Sequence, residues 1–142
     1  MLIPLLLGSL LTVLNLGIQV VAVSFLIRYF IHRFNDGRIT AGTIKNSQAL
    51  SMVMMVLFVG HIMQFATWAV LFMWIGEFND FATAFYHSTV NFASLGYGDI
   101  VMSEDWRLLG ALEACNGVLM FGLSVGTIMS VMNGLFRWHK TS

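Results

Sequence analysis

Three long stretches of the chain are almost uninterrupted in apolar character, and polar residues gather between them. Leu2 to Ile27 carries no charged side chain. At about 1.5 Å of rise per helical residue it is long enough to cross the roughly 30 Å hydrocarbon core of a bilayer. It lacks a basic start, and its apolar run exceeds the roughly 7–15 residues of a cleaved leader, so it is predicted to remain as a spanning helix. From Arg28 to Gln48 the pattern turns polar. Asn35, Asp36 and Gly37 predict a turn there, and Asn46 or Ser47 a cap for the helix that follows. Ala49 to Ile75 predicts a second spanning helix. Leu108 to Phe136 predicts a third, although Glu113 and Asn116 lie within it. Asp80 to Ala93 is apolar on most sides but only about 20 Å long as a helix, which is too short to span. It predicts a short buried helix that enters and leaves from one side.

The pattern therefore predicts an all-α membrane protein with three transmembrane helices and one re-entrant helix and loop. Its parts are an N-terminal helix at 1–27, a polar connection at 28–48, a main unit at 49–136 and a short tail at 137–142. Composition agrees: 58% of the 142 residues are hydrophobic and 10% charged, with a strongly positive mean hydropathy. A soluble fold of that character would have nowhere to place its surface. The single cysteine, Cys115, excludes an internal disulfide, and no Cys/His cluster is spaced for zinc. Cys115 is expected to be a small buried hydrophobe. A formal charge of zero argues against nucleic-acid partners, and no nucleophile, base and orienting group form a recognisable enzyme set.

Charge placement orients the helices. Of the seven Lys and Arg residues, Arg28, Arg33, Arg38 and Lys45 lie between the first two helices, and Arg137 and Lys140 follow the third. The positive-inside rule then puts the amino terminus outside and the carboxy terminus in the cytoplasm of a multi-pass cell-membrane protein. The opposite side collects Glu77, Asp80, Asp99, Glu104 and Asp105 against Arg107. Such an acidic face concentrates cations.

The chemistry is expected in Ser94-Leu95-Gly96-Tyr97-Gly98-Asp99, which follows the short helix. An ion leaving water needs its hydration shell replaced by oxygens at nearly equal cost, and a stretched backbone with carbonyls aimed at one axis supplies them. Gly96 and Gly98 can take the positive φ values that turn successive carbonyls to the same side. Tyr97 can then point outward and brace the strand against the short helix. The carboxy-terminal end of that helix adds the negative end of its dipole where a cation pauses. One chain cannot close a ring of carbonyls, so with a single such segment and no internal repeat four copies are required.

These residues resemble the signature of the potassium-channel pore family, usually TVGYGD, between two transmembrane helices. The resemblance covers roughly residues 49 to 136, with one additional N-terminal transmembrane helix. It implies a homotetrameric, potassium-selective channel subunit in membrane lipid, built with three further copies of itself. K+ would be held at Ser94, Leu95, Gly96 and Tyr97, with Gly98 completing the filter. No other cofactor is implied. By the same alignment Gly117 falls at the inner-helix glycine hinge, and Trp106 near the outer start of that helix. His87 stands where relatives often carry a tryptophan bonded to the aspartate after the filter, which implies a His87–Asp99 bond that acid would strengthen. Ser94 replaces the usual threonine and Leu95 the usual valine, while Val90 and Ala93 stand where many relatives have polar residues. A non-selective monovalent cation channel and a non-conducting accessory subunit remain alternatives. A transporter lacks support, since broken helices and an inverted repeat are missing.

Further expectations concern polar and small residues within the helices. His61 with Gln64, and Asn15 with Gln19, lie on single helix faces and are expected to bond between helices, with proton sensing at His61 as the sharper alternative. Glu113 is expected to bond Asn91 or backbone behind the filter, or to stay protonated. Gly122 and Gly126 could bend the inner helix, like Gly117, or serve the close packing of a GxxxG spacing. The ten Met and twelve Phe residues are expected to face lipid and fill packing gaps. The first helix lacks periodic arginines and the tail is short, so gating is assigned to the filter, the inner helices, the polar connection or a separate regulatory protein.

Overall fold

The computed structural model describes residues 1–35 and 43–141, with side chains at 1–32 and 47–134. Among the described residues it contains four helices: α1 (Leu2–Asn35), α2 (Thr43–Trp74), α3 (Phe81–Phe92) and α4 (Arg107–Thr141). Three of them, α1, α2 and α4, are long and apolar enough to cross a membrane. The expected turn at Asp36-Gly37 lies outside the described residues. Each long helix extends past the apolar stretch that predicts it. Apolarity marks the part immersed in lipid, whereas backbone hydrogen bonding continues into water until a breaker is reached. For that reason Asn46 and Ser47 lie inside α2 instead of capping it.

The helix ends have specific causes. At the end of α2, Gly76 takes φ +78, Gly76 N–H donates to Met73 O at 3.0 Å and Glu77 N–H donates to Phe72 O at 3.0 Å. This is a Schellman closure, in which a left-handed glycine satisfies the last carbonyls. Asp80 caps α3, accepting from Thr83 N–H at 2.8 Å. That hydrogen bond holds the Asp80 carboxyl below the usual carboxylate range.

In lipid, apolar faces gain little by meeting one another, so close packing and interhelical hydrogen bonds hold a bundle together. The main core joins α2, α3 and α4 through Phe65, Trp68, Phe72, Phe92, Leu109 and Met120. Phe65 meets Phe92 nearly edge-on at 5.0 Å between ring centres, and Phe92 meets Phe121 at 5.8 Å. A second cluster, Leu26, Phe30, Val53 and Leu57, joins α1 to α2. Among the described residues α1 packs on α2 and α4 and not on α3. Many large apolar side chains of α1 remain exposed, as a lipid-facing helix requires.

Candidate functional site

The site is built at the carboxy-terminal end of α3. Ser94 N–H donates to Asn91 O at 2.8 Å and Leu95 N–H to Val90 O at 2.9 Å, again a Schellman pattern. Here the left-handed residue is Ser94 itself, at φ 56. Gly96 follows at φ 59 and Gly98 at φ 75, so every second residue from 94 to 98 is left-handed. Alternation of this kind turns the intervening peptide planes so that successive carbonyls share a side. Among the described residues the carbonyls of Ser94, Leu95, Gly96, Tyr97 and Gly98 accept no hydrogen bond in the loop. The positive φ of Ser94 is the one part of this geometry its residue type does not suggest.

Behind the loop, α3 is tied to both neighbours. Asn91 Nδ2 donates to Gly110 O at 2.8 Å and to Glu113 Oε2 at 2.7 Å. Ser88 Oγ lies 2.6 Å from Glu113 Oε1 and 2.9 Å from Phe65 O, which links α3 to α4 and α2 at one atom. Glu113 is fully buried. The expected contact with Asn91 is thus made. Ser88 was not anticipated, although its place three residues before Asn91 puts it on the same helix face.

Two expectations at the rim are corrected. Asp99 does not bond His87. Its Oδ2 accepts from Tyr86 Oη at 2.7 Å, while His87 Nδ1 faces Ile100 O at 3.2 Å. His87 is turned inward between Phe72 and Phe78, and its neighbour Tyr86 points out to the carboxylate. Burial pushes His87 below the usual imidazole range, against the raising effect of the Ile100 carbonyl, whereas the Tyr86 hydroxyl holds Asp99 below the usual carboxylate range. Tyr97 is 66% exposed, so the brace expected against α3 is not formed within one chain. Glu77, on the same rim, accepts from Ser103 N–H and Oγ–H.

Along α4 the three glycines have different settings, and the helix runs unbroken through all of them. Gly117, expected as a hinge, lies where α4 presses on the end of α3, and an added Cβ would run into the Phe92 carbonyl. Gly122 and Gly126 meet nothing within 4 Å, so the close packing expected of their spacing is not made within the chain. Cys115 is exposed, contrary to expectation, because Glu113, Asn116, Gly117 and Met120 occupy the inward face of that turn. Trp106 packs against the main core just before α4 starts.

A family model described as an ion channel matches residues 51–133, more than half of the chain. The chain belongs to this ion-channel family. Comparisons with curated proteins and with solved structures return no match. The matched span opens within α2 and includes α3, the 94–98 loop and most of α4, while α1 precedes it. This is an ion-channel subunit with, among the described residues, three helices able to cross a membrane. Among the described residues no cluster of three or more His, Cys, Asp or Glu is placed to hold a metal ion.

Proposed function

We propose that the chain is one of four identical subunits of a potassium-selective channel, with Ser94 to Gly98 as its selectivity filter. The observation that carries this reading is the alternation of left-handed backbone at Ser94, Gly96 and Gly98, with the intervening carbonyls free of hydrogen bonds. A dehydrated K+ ion requires several carbonyl oxygens at once, and one loop supplies only one wall of such a cage. Four loops around an axis complete it. Leu95 and Tyr97, more than half exposed in the single chain, are then free to meet neighbouring subunits.

Support from behind comes from Asn91, Ser88 and Glu113, which fix α3 against α4. The dipole of α3 has its negative end at Ala93, the entry to the loop. Gly117 permits α4 to approach the same end closely. In this reading the amino terminus is outside the cell membrane and the acidic rim of Glu77, Asp80 and Asp99 draws cations to the mouth.

The deciding experiment is passive ion flux into liposomes containing the purified protein, measured with K+ and with Na+. Saturable K+ flux well above Na+ flux is expected, from a particle of four chains. Equal fluxes would leave a non-selective cation channel. No flux from correctly assembled protein would leave an accessory subunit.

A further inference from the structure

We infer that α1 is latched to the C-terminal half of α4 by a one-way ring of four hydrogen bonds, and that this latch limits how far that half of α4 moves when the channel opens. The gating part rests on the channel reading above, whereas the ring stands on geometry alone. Its members are Gln19 on α1, His61 and Gln64 on α2, and Ser124 on α4, all buried. Gln19 Nε2 lies 2.9 Å from Ser124 Oγ, Ser124 Oγ 2.9 Å from His61 Nε2, His61 Nδ1 3.1 Å from Gln64 Oε1, and Gln64 Nε2 3.0 Å from Gln19 Oε1.

The direction of each bond follows from the donors and acceptors available. An amide nitrogen only donates, so Gln19 gives to Ser124 and Gln64 gives to Gln19. The Asn15 carbonyl, 3.4 Å from the same Gln64 nitrogen, fixes which end of that amide carries the hydrogens. Gln64 Oε1 only accepts, so His61 carries its proton on Nδ1. The bare Nε2 then accepts a hydrogen bond from the Ser124 hydroxyl. Every polar atom of the ring is satisfied without a charge, and chained bonds of this kind polarise one another. Around His61 stand the rings of Phe65, Phe92 and Phe121, which supply no competing partner. Thr67 adds a second link between α1 and α2, its Oγ1 lying 2.8 Å from Asn15 Oδ1.

Among the described residues the latch is where this part of α4 meets its neighbours by hydrogen bonds, the other contacts being apolar. Beyond Met120, Gly122 and Gly126 border a groove of about 580 Å³ between α1 and α4. Thr127 and Ser130 donate to the α4 carbonyls of Leu123 and Gly126, so those hydroxyls tie α4 to no other helix. Ile128 and Val131 pack on the Leu26 cluster, but such contacts have no direction and tolerate sliding. Ser124, between the two open glycines, is therefore the described residue through which α1 and α2 hold this part of α4 by hydrogen bonds.

The test uses the full-length protein in liposomes, with Gln19→Leu, Ser124→Ala, the double variant and Ser124→Thr, which keeps the hydroxyl. Each latch-breaking variant is expected to shift the ratio of open to closed channels roughly threefold, the size of one interhelical hydrogen bond in lipid. The K+ to Na+ ratio should stay at the wild-type value, the double variant should add little to the singles, and Ser124→Thr should restore wild-type behaviour. Hydrogen exchange should speed up along Leu123 to Gly134 in the broken variants and remain unchanged along Leu109 to Met120. In nitrogen NMR, the His61 signal, assigned by its loss in His61→Phe, should show a protonated Nδ1 and a bare Nε2. Unchanged gating and exchange, a shift in selectivity, or a proton on Nε2 overturns the latch. Should the wild type carry no ions, the channel reading falls, and exchange and NMR still decide the ring.

Discussion

Between Leu109 and Met120, α4 is fixed at successive turns: Gly110 O accepts from Asn91, Glu113 from Ser88 and Asn91, and Gly117 abuts the Phe92 carbonyl. Between Phe121 and Gly134 the same unbroken helix meets its neighbours through Ser124 and apolar contacts, and its glycines border open space. In the proposed function the first half supports the loop whose carbonyls replace an ion's hydration shell. Within one chain the second half is tied by Ser124 alone among its described hydroxyls. Close contact near the loop and open positions farther along are written into one helix by where its glycines meet backbone and where, within the chain, they meet nothing.

The largest test of that contrast is to add one methyl group to each glycine. Gly117→Ala forces a Cβ into the Phe92 carbonyl, a backbone atom that cannot turn aside as a side chain can. Overpacking of this kind costs about 1–3 kcal/mol, and the upper end is expected here. Folded yield and thermal stability in detergent should drop sharply. Gly122→Ala and Gly126→Ala should leave both near wild type, since nothing lies within 4 Å of either Cβ position. Equal losses at all three sites would erase the difference between the halves.

Next in size is the polar node. Glu113→Leu leaves Ser88 and Asn91 without their carboxylate partner in a buried place, at about 1–3 kcal/mol. Glu113→Gln keeps an acceptor for Asn91 and offers Ser88 an amide hydrogen, so it should cost much less. Thermal unfolding of the two variants separates a hydrogen-bonding role from one that needs net charge. Comparable destabilisation by both would show that the contacts do not account for the burial of Glu113.

A smaller change at the loop should have a larger functional readout. Gly96→Ala meets no neighbour within 4 Å, so the fold is expected to survive, but alanine at φ 59 bears a left-handed cost of about 1–2 kcal/mol. Flux through the reconstituted channel should fall roughly tenfold or more, since 1.4 kcal/mol is a factor of ten. Flux at the wild-type level with alanine in place would remove the left-handed backbone from the mechanism.

The order and type of the helices were legible because immersion in lipid demands long apolar runs, and the short α3 stood out by failing that length. Its cap residues, Asp80 and Ala93, also coincided with the ends of the apolar pattern. The bonding of α2 to α1 through Gln64, Asn15 and Gln19 could be expected, because polar groups in lipid need partners and spacing puts each pair on one face. Ser124 could not, since a lone serine in a spanning helix ordinarily bonds its own backbone, as Ser130 does. Gly117 shows another limit. Sequence marks a position where Cβ is absent, but bending and close approach both require that, and only the neighbouring Phe92 carbonyl distinguishes them. The exchange of partners between Tyr86 and His87 has a similar origin, because adjacent residues on a helix point about 100° apart and a small rotation of α3 decides which reaches Asp99.

That exchange yields the smallest prediction, and its sign is opposite to the one a His87–Asp99 bond would give. His87 donates from Nδ1 to the Ile100 carbonyl and is packed between Phe72 and Phe78, where its buried Nε2 has no hydrogen-bond partner. Glu77 and Asp99 act weakly from the rim to favour the charged ring, but burial dominates and holds His87 below its usual value of 6.5. The unfolded chain therefore takes up a proton at this position before the folded one does. The contribution of neutral His87 to stability is complete above about pH 6.5 and declines as the pH falls below it. Acid should loosen the rim at His87, whereas the Gly117 contact, which involves no titrating group, should be insensitive to it. Thermal stability of wild type and His87→Phe, compared between pH 7.5 and 5.5, isolates this component: the wild type should lose more than the variant over that range. A wild type that gains stability relative to His87→Phe on acidification would mean that the protonated ring finds an acceptor, and would return Asp99 to its side.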